Sequence, residues 1–99
     1  MSIDLNEKLI LSIQNIGAKY PIQKIVIFGS RARGSSNRSS DIDLAIFTLP
    51  QFESQGSFSS DIDDLETLLK IDLVFINERT ELKLMENIKK DGVVVYEQF

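Results

Sequence analysis

The sequence predicts an α/β (α+β) domain, with a mixed sheet of about four strands and helices packed on it. Two observations support this prediction. Four short apolar runs, rich in β-branched residues, alternate with longer segments in which apolar residues recur at helical spacing. Such an alternation is typical of helices layered on a sheet. The chain has 99 residues, so we expect a single domain over 1–99.

The first half of the chain contains one helix and two strands. Apolar residues at spacings of four, four and three predict a helix over 4–19, with Asp4 as its N-cap and Pro21 ending it. KIVIFG (24–29) and DIDLAIF (41–47) are the predicted strands. Between them, 30–40 is a predicted loop whose start can form one helical turn.

The second half contains the remaining two strands. Residues 48–60 hold Pro, Gly and five hydroxyl residues, which predicts a loop. A short helix is predicted around Ile62, Leu65, Leu68 and Leu69. The strand KIDLVFIN (70–77), a helix over 79–90 that ends just before Gly92, and a last strand, GVVVYE (92–97), complete the chain.

Composition excludes several classes of function. The net charge of −4 argues against a protein that tracks the phosphate backbone of nucleic acid. Histidine is absent, so zinc sites of the usual kind and histidine-based triads are excluded. Absence of cysteine fits a cytoplasmic protein, and we expect that location. The N-terminus lacks the pattern of a signal peptide, and the apolar runs are too short to span a membrane.

Acidic residues precede or enter two of the predicted strands. Residues i and i+2 of a strand point the same way, so Asp41 and Asp43 should project side by side. Their repulsion is relieved by a hard cation such as Mg²⁺. If the second and third strands are neighbours, Asp72 can join them, and three carboxylates can hold two metals about 4 Å apart. Each acid also has a simpler reading, as a solvated turn or strand-edge residue, and Asp-x-Asp occurs in glycosyltransferases and phosphatases too.

A Gly-Ser turn follows the first strand, and a locally basic segment follows the turn. Glycine at position 29 lets backbone amides approach an oxyanion, and Ser30 adds a hydroxyl donor. Arg31, Arg33 and Arg38 can add charge-assisted hydrogen bonds to phosphate. The turn is not a Walker A loop, because GxxxxGK[ST] is missing. An ordinary strand-ending turn is the alternative interpretation.

The combination is more specific than its parts. Gly-Ser, ten residues and then Asp-x-Asp, each beside an apolar strand, with a later strand holding one Asp, resembles the DNA polymerase β-type nucleotidyltransferase superfamily. The RARG segment and the chain length resemble its minimal nucleotidyltransferase (MNT) branch, the antitoxins of HEPN/MNT toxin–antitoxin pairs. The resemblance implies that Gly29 and Ser30 hold the β- and γ-phosphates of a nucleoside triphosphate. Asp41 and Asp43 would bind two Mg²⁺ ions, and Asp72 would bind the catalytic metal and help deprotonate the acceptor.

The same resemblance implies an activity and a partner. The protein would transfer a nucleoside monophosphate, with AMP from ATP as the family expectation, to a tyrosine hydroxyl of a HEPN-domain toxin. Candidate partner contacts are Phe52, Phe58, Val93 to Val95 and Phe99. Two alternatives remain open: a non-catalytic antitoxin that blocks the toxin sterically, and an antibiotic nucleotidyltransferase. Direct binding of nucleic acid or membrane is not expected.

Overall fold

A computed structural model describes residues 5–33, 41–65 and 67–98. The elements, in chain order, are α1 (Glu7–Gly17), β1 (Ile22–Phe28), α2 (Ser30–Arg33), β2 (Ile42–Thr48), α3 (Gln55–Asp63), β3 (Ile71–Ile76), α4 (Leu82–Asp91) and β4 (Val93–Glu97). The four strands form one sheet in the order β3-β2-β1-β4. β1 is antiparallel to both β2 and β4, whereas β2 and β3 are parallel. The predicted mixed sheet with packed helices is therefore confirmed.

The sheet divides the apolar residues into two groups, because successive side chains of a strand point to opposite faces. One face, with Ile25, Ile27 and Leu44, packs against Ile13 of α1 and Phe58 of α3 in the larger core cluster. The other face packs against α4: Val26 of β1 and Ala45 of β2 cluster with Ile88. Successive residues of β1 therefore pack alternately against α1 and α3 on one face and against α4 on the other.

Helix α1 begins later than predicted. Its N-cap is Asn6, whose side-chain oxygen accepts a hydrogen bond from the Lys8 amide at 2.7 Å. The prediction of Asp4 as the N-cap is therefore wrong, and Asp4 itself lies outside the described residues. At the other end of α1, a Cβ on Gly17 would lie 3.0 Å from Ile25 and 3.1 Å from the Tyr96 ring. Glycine thus allows the end of α1 to lie close against the sheet.

Helix α3 replaces part of a predicted loop. The loop predicted over 48–60 is wrong from Gln55 onward, and the helix predicted around Ile62 to Leu69 instead ends at Asp63. Phe58 and Ile62 are one helical turn apart and both are buried. Their burial stabilises a helix whose Ser- and Gly-rich sequence has low helix propensity. Tertiary packing therefore determines α3.

Four aromatic rings pack at edge-to-face and stacked distances near α3. Phe58 lies with its ring centroid 5.4 Å from that of Tyr20 and 6.0 Å from that of Phe75, and Phe52 stacks on Phe75 at 5.9 Å. Phe58 is 0% exposed, so its prediction as a partner contact is wrong. Val95 is buried as well, whereas Val94 is 48% exposed. Phe99 lies outside the described residues.

Tyr20, which follows α1, is hydrogen-bonded to Asp61 of α3, and this bond should make the stability of the protein fall at alkaline pH. Its hydroxyl donates to Asp61 Oδ2 at 2.6 Å, and this bond, with burial and the Asp61 charge, raises the pKa of Tyr20 above its ordinary 10.0. The folded protein therefore holds the proton more tightly than the unfolded chain. The stability that this pair contributes is fully present below about pH 10 and is lost as pH rises through the raised pKa.

We expect Tyr20→Phe to lower the free energy of unfolding at neutral pH, with the difference from wild type shrinking above pH about 10. Urea unfolding at stepped pH values measures this. Tyr96→Phe, at the other tyrosine of the chain, is the matched control. A Tyr20→Phe deficit that stays constant into the alkaline range would contradict the role given to this hydrogen bond.

Candidate functional site

Two aspartates and one phenylalanine form a row across three strands at one end of the sheet. Phe28 of β1 pairs with Asp43 of β2, and Asp43 pairs with Asp72 of β3. Paired residues of adjacent strands point to the same face, with strands about 4.8 Å apart. Asp43 and Asp72 are therefore side by side, on the sheet face that α4 covers farther along. The second and third strands are therefore neighbours, which was the condition for Asp72 to join the other aspartates.

Gly29 places the turn after β1 directly against Asp43. Its φ is +79°, the left-handed region that favours glycine, and its carbonyl accepts a hydrogen bond from the Ala32 amide at 3.1 Å as α2 begins. A Cβ at Gly29 would lie 2.5 Å from Asp43 Oδ2. The turn and the carboxylate therefore occupy one small region, with Ser30 as the first residue of α2.

Asp41 and Lys70 lie next to this row, just before the first residues of β2 and β3. Asp41 is exposed and immediately precedes β2, and the following amide, that of Ile42, donates to the Lys70 carbonyl at 2.8 Å. The Lys70 ammonium lies 3.5 Å from Asp72 Oδ1. Lys70 was not among the predicted site residues. Its position two residues before Asp72 in a strand, which puts both on one face, is the signal that could have indicated it.

Arg31, a predicted phosphate contact, is almost completely buried. Only 7% of Arg31 is exposed, and it lines a cavity of about 720 Å³ between the start of α1 and the segment after α3. None of the carboxylates of the row lines this cavity, whose other lining residues include Lys8, Ser12 and Leu69. Arg31 therefore lies on the side of the domain where α1 and the segment after α3 meet. Arg33 ends α2, and Arg38 lies outside the described residues.

The sequence matches the family model for "Polymerase beta, Nucleotidyltransferase" over residues 12–98. This match covers all four strands and the row of carboxylates. The chain belongs to the polymerase beta nucleotidyltransferase family. It is a nucleotidyltransferase, and its sheet with packed helices is the nucleotidyltransferase fold.

The chain is similar to one named relative and shares its fold with several solved structures. A Methanocaldococcus jannaschii protein named "putative protein adenylyltransferase" is 31% identical over 80 residues, 78% of this chain and 80% of that one. One chain of the crystal structure of a toxin–antitoxin with AMP-PNP matches at a TM-score of 0.66 and 22% identity, over 95% of this chain and 75% of that one. A complex of tri-AMPylated Shewanella oneidensis HEPN toxin with MNT antitoxin matches at 0.54 and 18%, over 91% and 73%. The two structures show a shared fold.

Magnesium suits the donor set of the nucleotidyltransferase, although the metal site stays a prediction. Asp43 and Asp72 are register neighbours with oxygen donors, the ligand type that Mg²⁺ prefers, and Mg²⁺ commonly takes one or two carboxylates with water and phosphate. In residues 5–33, 41–65 and 67–98, no three acidic, His or Cys side chains are grouped closely enough to hold a metal. The structure thus joins two of the three predicted ligands in one row, with Asp41 at its edge.

Across the same described parts of the nucleotidyltransferase, no helix has the length and apolar character needed to cross a bilayer.

Proposed function

We propose that this nucleotidyltransferase is a Mg²⁺-dependent protein adenylyltransferase that acts as an MNT antitoxin. It transfers AMP from ATP to a hydroxyl of a partner protein, a tyrosine of a HEPN toxin. The observation that carries the proposal is the contact between the Gly29 turn and Asp43, with Asp72 beside them. A turn suited to phosphate and a pair of carboxylates suited to a metal are thus adjacent.

The residues have distinct roles in this proposal. Gly29 and Ser30 hold the β- and γ-phosphates through backbone amides and the serine hydroxyl. Asp41, Asp43 and Asp72 supply the oxygen ligands for two Mg²⁺ ions. When bound, these ions neutralise phosphate charge and favour the ionised acceptor hydroxyl.

The transfer itself is an in-line displacement. Asp72 receives the proton of the acceptor hydroxyl, whose oxygen forms a bond to the α-phosphorus. The bond from the α-phosphorus to the bridging oxygen breaks, and pyrophosphate leaves. Arg31 and Arg33 are proposed to support the phosphate turn, Arg31 from its buried position next to α1.

The partner proposal draws on the relatives and on exposed apolar surface. The M. jannaschii relative bears a protein adenylyltransferase name, and the fold is shared with HEPN/MNT complexes. Val94 on the edge strand β4 and Leu82 on α4 are exposed large apolar side chains, which a partner could cover. We propose a cytoplasmic location, where ATP and Mg²⁺ are available, and no direct contact with nucleic acid.

The test of the proposed function is nucleotide transfer to the toxin. The protein is incubated with a HEPN-domain toxin and either MgATP or another nucleoside triphosphate, with and without EDTA. We expect the toxin, measured by intact mass, to gain AMP units only with ATP and Mg²⁺. Toxin that is neutralised without any gain of mass would instead support a steric antitoxin. Transfer to an aminoglycoside and not to the toxin would support an antibiotic nucleotidyltransferase.

Ser30→Ala separates phosphate binding from partner binding. Loss of one hydrogen bond to a charged phosphate costs about 1.5–3 kcal/mol, so we expect transfer to fall roughly ten- to a hundredfold. Binding of the toxin, measured by pull-down, should be unchanged. Ser57→Ala, at an exposed position of α3, is the control and should retain full transfer. Joint loss of binding and transfer would place Ser30 in the partner interface and contradict its phosphate role.

A further inference from the structure

Lys70 places a positive charge against one of the site carboxylates. Its ammonium nitrogen lies 3.5 Å from Asp72 Oδ1. The Lys70 side chain is 71% exposed and the Asp72 side chain 41% exposed, so water reaches both partners. An ion pair in this setting is weak, because solvent screens it and a flexible lysine loses entropy in forming it. The pair can therefore be broken at little cost.

The backbone nevertheless keeps Lys70 at the carboxylates. The Lys70 carbonyl accepts the Ile42 amide hydrogen bond at 2.8 Å, which ties the residue to the start of β2 beside Asp41. Lys70 also immediately precedes β3, two residues before Asp72, and its side chain reaches the same side of the sheet as the Asp72 carboxylate. The backbone of Lys70 is thus fixed beside the start of β2, and the four-carbon side chain lets the ammonium group move while the backbone stays in place.

The Lys70 ammonium and a divalent metal ion would compete for the Asp72 carboxylate. Like charges close together disfavour ionised carboxylates unless a cation neutralises them. A lysine ammonium and a divalent ion both satisfy this need, and both would do so at the same carboxylate, that of Asp72. A divalent ion carries twice the charge and binds oxygen directly, so it can replace the weakly held ammonium.

We propose that Lys70 is an exchangeable counter-ion of Asp72, which neutralises this carboxylate in the metal-free protein and leaves it when a divalent ion binds. Lys70 thereby lowers the affinity of the protein for that ion. The proposal rests on the proposed function, since it takes Asp72 as a metal ligand. It concerns a property that can be measured without nucleotide, partner or catalytic turnover.

The experiment is Mn²⁺ binding to the isolated protein, followed by electron paramagnetic resonance of the free ion at low ionic strength. Lys70→Gln removes the charge and keeps most of the length, whereas Lys70→Arg keeps the charge. We expect Lys70→Gln to bind Mn²⁺ about two- to fivefold more tightly, the range set by a weak exposed ion pair. Added salt should shrink this difference. Lys83→Gln, on α4, makes the same change in net charge away from the pair and should stay close to wild type.

The controls distinguish failure of this proposal from failure of the proposed function. If wild type binds Mn²⁺ and Asp43→Asn does not, the metal site stands. Unchanged or weaker Mn²⁺ binding by Lys70→Gln then overturns the counter-ion role alone. An equal gain from Lys70→Gln and Lys83→Gln also overturns it, because general charge would explain the effect. Absence of Mn²⁺ binding to both wild type and Lys70→Gln would overturn the metal site and the counter-ion role together.

Discussion

Asp43→Asn should reduce nucleotide transfer by about a thousandfold or more while the domain stays folded. Asp43 is the central residue of the row: it pairs with Phe28 on one side and with Asp72 on the other, and its Oδ2 lies against Gly29. An amide of the same shape lacks the negative charge with which a carboxylate binds a divalent metal ion. Transfer is measured by intact mass of the toxin, and folding by a cooperative urea transition.

A matched charge change controls for electrostatics at long range. Asp63→Asn, at an exposed position on α3, also removes one negative charge and should keep full transfer. Asp41→Asn and Asp72→Asn should lose transfer as Asp43→Asn does, because all three are proposed ligands. Full transfer by Asp43→Asn in Mg²⁺ would refute the assignment of this row as the metal site.

Gly29→Ala has the second large expected effect, because the substitution both strains the backbone and brings a methyl group too close to Asp43. The φ of +79° is strained for alanine, at a cost of about 1–2 kcal/mol. The new methyl group would lie 2.5 Å from Asp43 Oδ2, so the carboxylate or the turn must move. A shift of about 1 Å at a reacting centre can cost about a hundredfold in rate. We therefore expect both a lower free energy of unfolding and roughly hundredfold slower transfer.

Gly56→Ala is the matched control for this substitution. Gly56 lies in α3, and a Cβ there would meet no atom within 4 Å. Alanine should be neutral or stabilise the protein by about 0.5–1 kcal/mol, because it loses less backbone entropy in a helix. Urea unfolding and the mass assay are run on both variants. If Gly29→Ala kept wild-type stability and transfer, the close approach of the turn to Asp43 would be needed for neither stability nor transfer.

The sequence alone indicated the family and most of the elements, for local physical reasons. Buried strands are short apolar runs, and all four lie within two residues of their predicted starts and ends. The Gly-Ser turn, the spacing to Asp-x-Asp and the later Asp72 are linear features, and together they indicated the family that the match over 12–98 confirms. The Gly29 turn needs no partner to be recognised, because glycine after a strand already allows a left-handed residue.

Other features depended on contacts between segments far apart in the chain. Helix α3 exists because Phe58 and Ile62 are buried in the core, Phe58 against aromatic rings from elsewhere in the chain, although the local propensity favoured a loop. The pairing of Asp43 with Asp72 required β2 and β3 to be parallel neighbours, and no local pattern specifies which strands pair. The ion pair of Lys70 and the burial of Arg31 likewise follow from packing. Local sequence determines backbone preference and side-chain chemistry, whereas burial and side-chain proximity are properties of the assembled layers, which only the tertiary structure decides.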